Sequence, residues 1–250
     1  MKWEYHQFME VSKKSILLCE MFHKKGGEIL TASKELLHQQ YHSFLLSRKK
    51  FYHVLHLLFL EPNSDILFQI RDSCNPHELQ EIHEGGKILS GFFKDLSKEQ
   101  ISKEQEEYQR LFVGPGPLGA PLWESYYRSK EKLLFEKWTY QIREYYHRFG
   151  LQSMKENNEP DDHLLLELEF MVYLSDLFLE ENSNEKMIEL ITTQITFIEN
   201  HLLKWIPSFC NRIIQNTNSQ LFLGAAMLLY DFLEFDLQSL RELKGELAHA

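Results

Sequence analysis

Glu159-Pro160-Asp161-Asp162-His163-Leu164-Leu165-Leu166-Glu167-Leu168-Glu169-Phe170-Met171-Val172-Tyr173-Leu174-Ser175-Asp176-Leu177-Phe178 decides the fold. Pro160 is placed to open a helix, and acidic Asp161 and Asp162 suit its positive end. Apolar residues then cover nearly every side up to about Glu181, the pattern of a central, buried helix. Outward from it, most segments read at helical period. Phe8, Val11, Leu18 and Phe22 form one pattern stopped by Gly26-Gly27. Ser33 to Leu60 forms a second, ended before Pro62. Shorter helices are predicted over Asp65–Arg71, over His77–Leu96 with an irregularity at Gly85-Gly86, and over Ile101–Phe112. Ser97 and Gln100 have the spacing of a capping box before that last one. Trp123–Arg128, Lys130–Phe149, Asn184–Trp205 and Ser219–Leu233 complete the set, with Pro207 between the final two.

No alternating run of strand length interrupts this pattern. Glycine and proline number only 11 and 7 in 250 residues, which favours long regular elements. Six of these 18 breakers fall in Gly114-Pro115-Gly116-Pro117-Leu118-Gly119-Ala120-Pro121. The expected fold is all-α: one multi-helix bundle over 49–250, with an N-terminal helical extension over 1–48.

The formal net charge of −10 argues against nucleic acid as a partner. Arg48-Lys49-Lys50, the one short basic run, reads as a solvated helix end. Cys19, Cys74 and Cys210 are too far apart for a zinc ribbon or disulfide framework, and fit a reducing cytoplasm. The N-terminus lacks an apolar signal core, and Leu221–Tyr230 is about half a membrane span, so a soluble cytosolic protein is expected.

Gly114 to Gly119 matches the letters of a dinucleotide fingerprint, but a helix precedes it and two prolines remove amide donors. It reads better as a stiff loop, either a connector or the wall of a groove, flanked by Phe112, Leu118 and Trp123. Asp161, Asp162, His163 and Glu167 could bind metal or serve acid–base chemistry. They could also be a capped helix start with an internal His–Glu bond, or a recognition spot exposing Asp162 and His163. No metal ligand set is complete and no catalytic constellation stands out, so neither a catalytic residue nor a metal is assigned.

Tyr108-Gln109-Arg110-Leu111-Phe112-Val113-Gly114-Pro115-Gly116-Pro117, continuing to Ala120-Pro121-Leu122-Trp123-Glu124-Ser125-Tyr126-Tyr127, resembles the first signature of the TorD/DmsD family of molybdoenzyme-assembly chaperones. Asn158-Glu159-Pro160-Asp161-Asp162-His163, with Glu167-Leu168-Glu169-Phe170-Met171, resembles the second, about 35 residues on. Leu122 and Tyr126 depart from the family's usual proline and valine. The resemblance implies an all-helical, non-catalytic protein of the cytoplasm. It implies a partner, the apo catalytic subunit of a molybdopterin oxidoreductase with its twin-arginine leader, whose export is held back until cofactor insertion. A relative of the NarJ type would serve a non-exported subunit instead; a metal- or nucleotide-dependent enzyme is the rival from another class. Carried over by position, Trp123, Glu124, Ser125 and Tyr127 belong to the first signature and Asp161, Asp162 and His163 to the second. Leu118, Trp123 and Tyr127 are expected as apolar walls of a peptide groove, and Glu124, Asp161 and Asp162 as acceptors for arginine. No resident cofactor is implied; weak guanine nucleotide binding enters by resemblance alone. Monomer and domain-swapped dimer are both compatible with the chain.

Overall fold

A computed structural model describes residues 30–73 and 83–249. The predicted helix over Phe8–Phe22, and Cys19 and Cys74 with it, lie outside the described residues. Helices follow one another as α1 (Leu30–Leu58), α2 (Ser64–Ser73), α3 (Glu84–Lys94), α4 (Lys98–Tyr108), α5 (Glu124–Arg128), α6 (Lys137–Arg148), α7 (Leu164–Glu180), α8 (Asn184–Phe197), α9 (Leu203–Asn216) and α10 (Gln220–His249). No strand occurs among the described residues, and the fold is all-α as expected. No described helix is long and apolar enough to cross a membrane.

The all-round apolar helix α7 does lie inside, packed against α1 and α8. Its Leu164, Leu168, Met171 and Leu174 are wholly buried. The long α10 is the second spine and carries α1, α3, α8 and α9 on its sides. Phe59, Phe112, Phe209 and Phe222 form one aromatic centre, joined by ring centroids 5.3–6.3 Å apart. Phe170, Phe197 and Tyr145 form another beside α7.

Local rules explain several element ends. Ser97 Oγ accepts from the Gln100 amide at 3.3 Å while the Gln100 side chain accepts from the Ser97 amide at 2.8 Å, the reciprocal cap read from the sequence. Helix α4 continues as a π-helical turn, Gln109–Val113, that ends at Gly114 with φ of 103°.

Other expectations are corrected. Of the helix expected over His77–Leu96, residues 77–82 lie outside the described residues, and Gly85-Gly86 lies in the first turn of α3, with His83 Nδ1 capping the Gly85 amide at 3.0 Å. The pairing has a packing cause: a Cβ on Gly224 of α10 would meet the Gly85 carbonyl oxygen at 2.8 Å and Leu89 Cγ at 2.7 Å. Residues 129–136 are not helical, and α6 begins only at Lys137. Helix α7 starts at Leu164 with His163 as its cap, so Pro160 to Asp162 precede the helix in non-helical backbone. Pro207 lies within α9 instead of between helices. A π-helical turn, Ile198–Leu202, comes just before, and Leu203 has ψ of −7°, which resets the chain ahead of the proline. Helix α10 runs about four turns beyond Leu233, because Leu237, Leu240 and Leu243 remain buried.

The largest correction concerns Arg48. It is not at a solvated end but inside α1, 3% exposed, on the inward stripe of Leu45, Tyr52, Leu55 and Phe59. The boundary expected between 48 and 49 falls within this one helix. Arg48 Nε and Nη2 donate to the two carboxylate oxygens of Asp236 at 2.5 and 2.9 Å. Its Nη1 donates to Ser175 Oγ at 2.7 Å and Gln194 Oε1 at 2.6 Å. Tyr52 donates its hydroxyl to Asp236 Oδ2 at 2.6 Å. One guanidinium thereby ties α1 to α7, α8 and α10. Removing one partner of such a buried pair costs about 3–5 kcal/mol, because the other charge is stranded. Asp236→Ala should therefore lower unfolding stability by about that amount. The double variant Arg48→Met/Asp236→Leu should cost clearly less than the two single changes combined. Urea unfolding of the wild type, Asp236→Ala, Arg48→Met, Asp236→Leu and the double variant checks both statements.

Candidate functional site

The breaker-rich loop is held by its own backbone. Gly119 and Ala120 amides donate to the Arg110 and Leu111 carbonyls at 3.3 and 2.9 Å, folding the loop back on the π turn. A Cβ at Gly119 would meet the end of the Leu111 side chain, Cδ2, at 2.8 Å, so a larger residue there would have to displace Leu111. From the other side, Arg212 of α9 donates to the Gly119 and Leu118 carbonyls at 2.9 and 3.2 Å. The Gly114 amide is turned onto the Gln109 carbonyl at 2.7 Å. Pro115 and Pro117 have no amide to offer. The amides of Gly114, Gly119 and Ala120 are thus spent inside the protein.

The loop delivers the first signature directly onto the second. The Glu124 amide donates to the Asp162 carbonyl at 3.0 Å, and the Leu164 amide to the Leu122 carbonyl at 2.8 Å. Trp123 and His163 sit opposite each other in this short antiparallel bridge, their rings edge-to-face with centroids 5.3 Å apart. The Asp162 carboxylate completes the join: one oxygen accepts from the Ser125 amide at 2.6 Å, the other from Thr139 Oγ1 at 2.5 Å. Asp162 is wholly buried, so the reading that exposes it at a groove does not describe its position.

The neighbouring acids are also turned inward. Glu124, wholly buried, is held by Arg128 and by His201 Nδ1 at 2.9 Å. Asp161 accepts from Arg143 Nε at 2.6 Å, and its carbonyl accepts from the Tyr146 hydroxyl at 3.2 Å. Burial pushes the Asp161 carboxyl up, against the opposing pull of Arg143. Glu167 does not bond the His163 side chain; it accepts from Trp205 Nε1 at 3.1 Å. His163 Nδ1 instead accepts from the Leu165 amide at 3.2 Å. Leu118, Trp123, Tyr127 and His163 are half-buried. Tyr127 stacks toward Trp205 at 5.4 Å and toward Phe209 at 6.1 Å.

Arg128, Thr139, Arg143, His201, Trp205 and Arg212 carry much of this architecture and were not singled out from the sequence. They lie on α5, α6, the π-helical turn Ile198–Leu202 and α9, outside the motif spacings, and only tertiary structure brings them in. Among the described residues, six buried side-chain polar atoms lack a partner: Trp123 Nε1, Ser125 Oγ, Tyr127 OH, Arg143 Nη2, Asp161 Oδ1 and Glu167 Oε1. All belong to the two signatures or to Arg143 beside them. No group of three or more His, Cys, Asp or Glu suited to a metal occurs among the described residues.

The acid excess has an electrostatic consequence. Burial, with the nearby charges of Glu124 and Asp162, holds the Glu167 carboxyl well above its ordinary value of 4.5. An acid raised on folding binds extra protons in the folded state. Its stabilising effect is full below about 4.5 and fades as pH climbs toward the raised value. His163 runs the other way: burial lowers it from 6.5 to about 4, so it costs stability as pH falls through that window. Glu167→Gln keeps an acceptor for Trp205 and removes the titration. It should remove the loss of stability that Glu167 contributes as pH rises above about 4.5, and leave the acid-side loss from His163 in place; urea midpoints of both proteins across pH check this.

The profile of the family described as "Nitrate reductase delta subunit" matches residues 76–211, more than half of the chain. "Chaperone protein TorD" of Aliivibrio fischeri is 30% identical over 129 residues, covering 52% of this chain and 60% of that protein. Its namesake in Psychrobacter sp. is 30% identical over 138 residues, covering 55% and 62%. That of Vibrio cholerae is 32% identical over 114 residues, covering 46% and 52%. The chain thus spans between half and two thirds of the length of these relatives. A crystal structure of a candidate redox enzyme maturation protein from Archaeoglobus fulgidus overlaps more loosely, at 22% identity and a TM-score of 0.47, covering 75% of this chain and 92% of that one. With both signatures wholly inside the matched residues, the chain belongs to the nitrate reductase delta subunit family.

Proposed function

We propose that this chain is a cytoplasmic assembly chaperone, not an enzyme, for the catalytic subunit of a molybdopterin oxidoreductase. It binds the apo subunit and its N-terminal leader until the cofactor is in place. The observation that carries this reading is the join of the two signatures through Leu122–Leu164, Glu124–Asp162 and the Asp162 carboxylate. Residues about 40 positions apart are locked into one rigid element, and relatives at about 30% identity are named as chaperones. A rigid frame under a half-buried aromatic face is how a site for an apolar segment is preorganised.

The bonding supports a division of labour within the residues expected at the peptide site. Ser125, Asp161 and Asp162 build the frame. Leu118, Trp123, Tyr127 and His163 are the contact side. Because Glu124, Asp161 and Asp162 are committed to His201, Arg128, Arg143 and Thr139, leader arginines would meet other carboxylates. Exposed Glu169 and Glu159 stand close enough to His56 and His163 to act on them electrostatically, and they suit that role.

Calorimetry with synthetic leaders of molybdoenzymes encoded beside this chain's gene tests the reading. A twin-arginine leader should bind, and Trp123→Ala should weaken it by about tenfold or more, the scale for truncating a central aromatic contact. Asp162→Ala should instead lower the unfolding midpoint, since it removes two buried bonds. Unchanged affinity in both Trp123→Ala and His163→Ala would remove these residues from the peptide site. Binding of a leader without paired arginines, in preference to one with them, would favour service to a subunit that is not exported.

A further inference from the structure

Ser12-Lys13-Lys14-Ser15-Ile16-Leu17-Leu18 lies ahead of α1, outside the described residues. Two adjacent cations stand directly before an apolar run. This is the chemistry of a twin-arginine leader with lysine in place of arginine. Residues 1–25 hold five lysines against three glutamates, so the rest of the chain carries twelve net negative charges. A basic, apolar piece is thus tethered to an acidic body.

The tether is long enough for the signature face. Helix α1 begins at Leu30, and His56 near its other end is within electrostatic reach of His163 and of exposed Glu169. From Leu30 to His56 is about 39 Å of helix. The stretch from Lys14 to Leu30 spans up to about 53 Å when extended. Gly26-Gly27 lies within it, where the chain can reverse along α1.

We propose that residues 12–18 dock on this chain's own signature face in place of the client leader. The lysine pair meets Glu169 and Glu159, and Ile16, Leu17 and Leu18 meet Leu118, Trp123 and Tyr127. The docked stretch is extended, in place of the helix its periodicity predicts. This inference rests on the leader-binding reading above. Lysine makes the occupant displaceable: its ammonium is strongly hydrated and cannot form the forked bond of a guanidinium to a carboxylate. Glu159 also pairs with Lys155, in an exposed bond that exchanges easily. Tethering offsets the weak contact, since a short flexible tether supplies an effective concentration of about a millimolar. An arriving leader has arginines with which to take the carboxylates, so the site excludes weaker basic segments and opens to the client.

Calorimetry of the whole chain with a twin-arginine leader tests the competition. Lys13→Arg/Lys14→Arg should strengthen the internal occupant and weaken leader binding by about threefold or more. Leu17→Ser/Leu18→Ser should release it and tighten leader binding by about as much. Neither variant changes the net charge, and circular dichroism should show both folded as the wild type. Zero-length carbodiimide coupling read by mass spectrometry reports the contact with no leader present: Lys13 or Lys14 should be joined to Glu169 or Glu159 within one chain. Equal leader affinity in the wild type and both variants would overturn the proposal, and so would absence of that cross-link. A cross-link found only between two copies would assign the face to a second chain and overturn docking within one. If no leader binds any of the three proteins, the leader reading fails, and the cross-link alone decides whether the segment docks.

Discussion

The carboxylate of Asp162 is the constraint around which the rest of the site is arranged. A wholly buried charge is tolerable only when its oxygens are bonded, and here the Ser125 amide and the Thr139 hydroxyl bond both. Bonds to a charged group contribute about 1.5–3 kcal/mol each. The Ser125 amide lies in the first turn of α5, where the positive end of a helix favours an anion. Thr139 lies in the first turn of α6. One side chain, standing just ahead of α7, therefore fixes the starts of two other helices. The order of residues in Asp161-Asp162-His163 follows from this: each takes a different partner, Arg143, the α5 start and the α7 amides respectively.

That arrangement concentrates acid. Glu124, Asp161, Asp162 and Glu167 are all buried within one region, against Arg128, Arg143 and His201. The imbalance is relieved by Glu167 keeping its proton well above the ordinary carboxylate range. Cations that a helical protein would normally show to solvent are drawn inward as counter-charges. The same device recurs far from the site, where Arg48 neutralises Asp236 between four helices. Buried polar networks of this kind fix which helix faces meet, since a slipped register would leave several charges unpaired at once.

The parts of the fold legible in the sequence were those governed by local rules. The Ser97–Gln100 cap, the stop at Pro62 and the all-round apolar α7 each follow from neighbouring residues. Local rules failed where tertiary partners overrode them. Arg48-Lys49-Lys50 reads as surface because its neighbours are charged, yet the inward stripe of α1 passes through the first of the three. Gly85-Gly86 reads as an irregularity because the requirement lies on another helix, at Gly224. Pro207 reads as a break because a preceding π-helical turn cannot be seen in composition. At the site, the motif letters picked out residues that the fold brings together, but not which way their side chains face. Carboxylates that look like acceptors for a basic peptide are acceptors for the protein's own amide, hydroxyl and guanidinium groups.

Net charge misleads for the same reason. At −10 the chain as a whole repels anions, which argues against an extended nucleic-acid surface. Screening confines such long-range effects to about 10 Å at ordinary ionic strength, so a pocket answers to the charges in its own wall. Around the cavity that opens beside Glu124, between α6 and the turn Ile198–Leu202, those are chiefly Arg128, Arg148 and Lys204. Arg128 faces two ways, toward the cavity and toward Glu124, and Glu124 in turn holds His201. The basic cavity and the signature join thus share the Arg128–Glu124 pair, and a change in the charge of one is felt by the other through it.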